Sequence, residues 1–100
     1  MARGGPKRSI EMLALSVIKD LLRNGQFAWP GGWPMFFLTC NGEPISFDAV
    51  YAERRQVFLA HLRGDHRDQF ALCGYEVNWE DAELRCAHTN KRIESAYRED

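Results

Sequence analysis

Near its end the chain places Cys86 and His88 two residues apart, the spacing that sets a thiol and an imidazole on the same side of an extended strand. A thiol beside a base begins a nucleophilic pair. That chemistry also needs a group to orient the base and donors for an oxyanion, and no motif here supplies either. Asp65-His66, Asn78, His88 and Lys91 are residue types that could surround one metal for phosphodiester hydrolysis. Such a site wants an apolar strand directly after its Asp-His pair, whereas this chain continues Arg67-Asp68-Gln69. Glu80, Asp81 and Glu83 form a carboxylate cluster that a solvated turn explains without catalysis. The three cysteines, Cys40, Cys73 and Cys86, are an odd number without framework spacing. They are expected as reduced thiols, with Cys40 and Cys73 buried spectators in apolar stretches. The expectation is a protein that is not an enzyme and needs no cofactor.

The chemistry that remains is contact, and the elements decide which side chains offer it. Ile10, Leu13, Val17, Ile18, Leu21 and Leu22 recur at helical spacing, predicting a helix from Ser9 to Arg23 with Ser9 as its cap and Asn24-Gly25 as its stop. Two prolines and two glycines in Gln26 to Pro34 predict a loop. Its tryptophans, Trp29 and Trp33, either fold back as a lid over the core or form a recognition surface, since rigid aromatics dominate binding hot spots. Met35 to Thr39 reads as an apolar strand, and Asn41-Gly42 as a hairpin turn returning through Glu43 to Ile45. Ser46 is placed to cap a second helix from Phe47 to Leu62, with Val50, the Arg54 stem, Val57, Phe58 and His61 on its packed face. After a polar loop, Phe70 to Val77 reads as a strand whose Gly74 marks a bulge or close approach. Leu84 to Cys86 and Arg92 to Ala96 are expected to pair across the turn between them.

One hundred residues with three Trp, three Tyr and six Phe suffice for one packed α+β domain, with 1–8 as a mobile tail, 9–25 the first helix and 33–100 the core. No apolar run approaches a membrane span, and the first residues lack the apolar segment of a signal peptide. A cytoplasmic protein with no membrane role is expected. Charge is uneven: residues 1–25 carry five Lys/Arg against two Asp/Glu, and residues 71–100 carry four against seven. The acidic half, with Glu80, Asp81, Glu83 and Glu94, argues against a duplex-binding face.

Val77-Asn78-Trp79-Glu80-Asp81 and Arg92-Ile93-Glu94-Ser95-Ala96-Tyr97 make the stretch from Trp33 onward similar to a family of small proteins carried by phages, plasmids and other mobile elements. That family's pattern includes two Cys-x-x-Cys pairs, and the resemblance puts them at Ser46/Ala49 and Cys86/Thr89. Three of the four thiolates are absent here. The resemblance therefore implies a degenerate zinc-ribbon-like hairpin that holds no metal, because a structural zinc needs four N or S donors. Trp79, Tyr97, Ile93 and the capped second helix are expected to tighten the knuckle instead. The resemblance also implies a protein-binding module, such as an inhibitor of a bacterial defence complex of the anti-CRISPR kind, meeting its partner through Trp29, Trp33, Glu80, Asp81, Glu83 and Glu94. The alternative is a nucleic-acid accessory protein descended from a zinc ribbon, using Arg3, Lys7, Arg8, Arg54, Arg55, Arg63 and Arg67.

Overall fold

The computed structural model describes residues 11–28 and 32–96. The expected tail, the Ser9 cap, Trp29 and Tyr97 lie outside the described residues. In chain order the elements are α1 (Leu15–Asn24), β1 (Phe27–Ala28), β2 (Trp33–Thr39), β3 (Pro44–Ile45), α2 (Phe47–Ala52), α3 (Arg54–Arg63) and β4 (Leu72–Val77). The arrangement is α+β, with a small antiparallel sheet built around β2.

β4 pairs along one edge of β2, from Met35 opposite Val77 to Thr39 opposite Leu72. β1 and β3 pair with successive stretches of β2 at Phe27–Pro34 and Leu38–Pro44. The amides of Met35 and Thr39 donate to Gln26 and Glu43. Alternate residues of a strand point their amides to opposite edges, so β1 and β3 share the edge away from β4. The Asn41-Gly42 turn forms as expected: Gly42 takes φ +87° and donates to the Thr39 carbonyl at 2.8 Å. Gly74 also marks a bulge, since Leu38 faces Gly74 while Thr39 faces Leu72, leaving Cys73 as the extra residue.

Four expectations need correction. First, Gln26 to Pro34 is not all loop, because Phe27 and Ala28 pair with Pro34 and Trp33. Pro34 is tolerated because the carbonyl of Asn78, which its missing N–H would have met, accepts the Ala96 N–H at 2.8 Å instead, while Asn78 N–H donates to Pro34. Second, α1 begins at Leu15, after a cap at Ala14 that makes no side-chain hydrogen bond. The chain before it is diverted: Leu13 N–H donates to the Leu72 carbonyl and Leu13 carbonyl accepts from His61.

Third, the second helix is broken at Glu53, whose φ of −106° and ψ of 26° separate α2 from α3. The Arg54 guanidinium donates to the Tyr51 carbonyl at 2.9 Å, the acceptor that Arg55 N–H would use in an unbroken helix. Arg54 therefore turns outward over the Tyr51 ring, away from the packed face. The Ser46 cap is as expected, its hydroxyl accepting Ala49 N–H at 3.1 Å. Fourth, Cys40 and Cys73 are joined in a disulfide and are not separate reduced thiols. The β2–β4 pairing and the bulge bring their Cα atoms to 4.9 Å, within disulfide reach. These two residues lend no support to a reducing environment.

The core gathers Ile18, Phe37, Ile45, Phe47, Val50, Val57 and Leu72, with Phe37 and Phe47 stacked at 4.4 Å. Cys86 and Ile93 belong to the same cluster, so the C-terminal unit shares the main core. That unit is only loosely a hairpin: Arg85 bridges Arg92, Ile93 N–H donates to Leu84, and Cys86 N–H donates to Lys91.

Candidate functional site

Antiparallel pairing of Met35 with Val77 means that two residues further out Trp33 meets Trp79. Their ring centroids are 5.1 Å apart at an interplanar angle of 55°, a favourable tilted geometry. Both rings stay wet, at 37% and 44% exposure. Trp33 is thus a strand residue at the sheet's end and not a lid over the core, and Trp79 is half of a surface pair. Glu80 and Asp81, both exposed, follow directly. Beside them a shallow groove runs over Phe36, Leu38, Pro44 and Leu84, bordered by Glu76 and Asp81.

Asn78 fixes where Trp79 goes. It is 4% exposed, and its side-chain amide donates to the carbonyls of Asp81, Ile93 and Glu94 while its oxygen accepts Asp81 N–H. One side chain ties the end of β4, the acidic turn and the last extended segment together. The Asp81 carboxylate accepts Glu83 N–H at 3.0 Å, which sets the turn. Of the expected contact residues, Trp33, Glu80 and Asp81 come together. Glu83 continues the same turn, Glu94 joins it through its carbonyl with its side chain exposed, and Trp29 lies outside the described residues. The Trp33–Trp79 pair was not legible in the sequence, because only the β2–β4 register brings the two rings together.

The second notable place is Cys86, 1% exposed. Its sulfur accepts Ser46 N–H at 3.4 Å. Burial pushes the thiol up, but hydrogen bonds from the Thr89 hydroxyl and from the backbone of Ser46, Thr89 and His88 outweigh it, leaving the net shift downward. Ser46 is joined to Ala49 through its cap bond, and Ala49 and Thr89 line one groove. The four positions Ser46, Ala49, Cys86 and Thr89 are therefore neighbours. Among the described residues no three of His, Cys, Asp and Glu converge on a cation position. The His88 ring packs on Phe70 at 4.8 Å, and His88 meets the Cys86 sulfur through its backbone. Asn78 is a structural hub, and the Asp65 carboxylate accepts Arg67 N–H within the α3–β4 turn.

His61 closes a ring of three hydrogen bonds that no spacing announced. Leu72 N–H donates to its Nε2 at 2.9 Å, its Nδ1 lies 2.8 Å from the Leu13 carbonyl, and Leu13 N–H donates to the Leu72 carbonyl at 2.8 Å. Nε2 must be the acceptor, so Nδ1 carries the proton and the ring is neutral. Burial lowers its pKa, against the opposing influence of the Leu13 carbonyl and of Asp68.

No family model, curated protein or solved structure matches this chain.

Proposed function

We propose that this chain is a non-enzymatic protein-binding module that meets its partner through Trp33, Trp79, Glu80 and Asp81. The carrying observation is the exposed tryptophan pair at 5.1 Å, seated on a strand register and an asparagine hub that hold both rings without covering them. Preordered aromatics lose little entropy on binding, and tryptophan is the residue most enriched at binding hot spots. The adjoining carboxylates favour a basic partner surface, so charge steers approach and the rings supply the desolvated anchor.

The resemblance to mobile-element proteins makes an inhibitor of a nucleic-acid-guided bacterial defence complex the specific form of this reading. The basic channel of such a complex is a fitting counterpart for Glu80 and Asp81. A cytoplasmic site of action belongs to the same reading. Reductants there attack exposed bridges first; Cys73 is 2% exposed and Cys40 half-buried.

The test is phage plaquing on a bacterial host that carries such a defence complex and expresses this chain. The wild type restores plaquing and co-purifies with the complex, and the Trp33→Ala/Trp79→Ala variant, folded to the same melting temperature, does neither. A double variant that inhibits as well as the wild type removes the tryptophan pair from the account.

A further inference from the structure

A second surface lies where α1 meets the α2–α3 break. There Tyr51 is 56% exposed and the Arg54 guanidinium sits 4.2 Å from its ring centroid, while Lys19 Nζ lies 5.3 Å from the Phe58 ring. Two shallow grooves meet at Arg54 and Phe58, one lined also by Lys19, Arg23 and Tyr51, the other by Arg55 and Leu59. Four cations border these grooves and no carboxylate does. Arg23 pairs with Asp20 at 3.1 Å, yet both side chains are well exposed, so that pair is weak and readily exchanged.

From this juxtaposition of four cations with the exposed Tyr51 ring along two adjoining grooves, we propose that the α1/α3 face binds single-stranded nucleic acid. Phosphates would lie on Lys19, Arg23, Arg54 and Arg55, and a base would stack on Tyr51. Aromatics interleaved with cations suit a single strand, whose bases are free to stack, better than a duplex, which offers only phosphates here. The broken helix is what builds the platform, since an unbroken one would have carried Arg54 toward the packed side. The proposal is independent of the tryptophan surface.

The test is fluorescence anisotropy of a labelled oligothymidine of about 12 nucleotides. Expected is a Kd between about 10⁻⁴ and 10⁻⁶ M at moderate salt, with log Kd changing against log salt by roughly 2 to 3, the signature of three or four phosphates. Tyr51→Ala should weaken binding about five- to a hundredfold, the loss of one stacked base. Arg54→Ala/Arg55→Ala should lower the salt slope by roughly 1.4, and Trp33→Ala/Trp79→Ala should bind like the wild type. All of these positions are surface residues, and equal melting temperatures confirm the variants are folded. No oligothymidine binding overturns the proposal. So does binding unchanged by the Tyr51 and Arg54/Arg55 variants, which assigns the contact elsewhere, or a polyglutamate peptide binding as tightly as the oligonucleotide.

Discussion

A neutral imidazole at position 61 joins three separate pieces of chain, and its protonation state is part of the fold. In the unfolded chain the ring titrates near 6.5. Burial lowers the folded value, so the native state holds the neutral form to a lower pH than the unfolded state does. The stabilisation is fully present above the unfolded value. As pH falls through that value toward the folded one, the unfolded chain takes up the proton first and stability declines. The urea midpoint is therefore expected to fall between about pH 8 and about pH 5, and His61→Gln should remove most of that dependence. A midpoint that rises on acidification contradicts the assigned tautomer. Asn78 sets a second expectation at this scale. Asn78→Ala leaves the buried Ile93 carbonyl and the part-buried Glu94 carbonyl without their donor, and a loss of about 2–4 kcal/mol is expected by urea unfolding. A loss under about 1 kcal/mol, an ordinary surface effect, would remove Asn78 as the hub.

Among the elements, the C-terminal knuckle and the α2 cap gather Ser46, Ala49, Cys86 and Thr89. Cys86 accepts hydrogen bonds from Ser46 and Thr89, while Ser46, Ala49 and Thr89 cannot ligate a soft ion. If these four positions descend from a tetrahedral site, Ser46→Cys/Ala49→Cys/Thr89→Cys should bind one cobalt ion per chain with thiolate charge-transfer absorption. A variant that folds and shows no such absorption means the positions never formed a site. Local rules with a single physical cause were legible here: the Ser46 cap, the Gly42 turn, the Gly74 bulge and the apolar β2. What depends on long-range register was not legible. The Trp33–Trp79 pair exists only because Met35 faces Val77. The Pro34 strand survives only because Ala96 N–H reaches the Asn78 carbonyl. The break at Glu53 was hidden because the apolar spacing continues through it, and the competing Arg54–Tyr51 bond involves no apolar residue.

Over the whole molecule, two fastenings substitute for size. The Cys40–Cys73 bridge spans 33 residues of sequence, and odd cysteine count with no spacing pattern concealed it. Closing a loop of that length is worth about 3–4 kcal/mol by chain entropy, so reduction should lower the melting temperature by roughly 15–25 °C. A transition unchanged by reductant would mean that the bridge adds nothing. The other fastening is the C-terminal unit's share in the main core through Cys86 and Ile93. Packing there and the Asn78 hydrogen bonds hold the acidic turn and Trp79 in place. A structural zinc contributes on the order of 10 kcal/mol, about the entire stability of such a domain, so its removal could not go unnoticed. The most direct measurement is the melting curve of freshly purified protein with and without a strong zinc chelator. Superimposable curves are predicted, and unfolding on chelation would show that an ion, and not packing, holds the surface together.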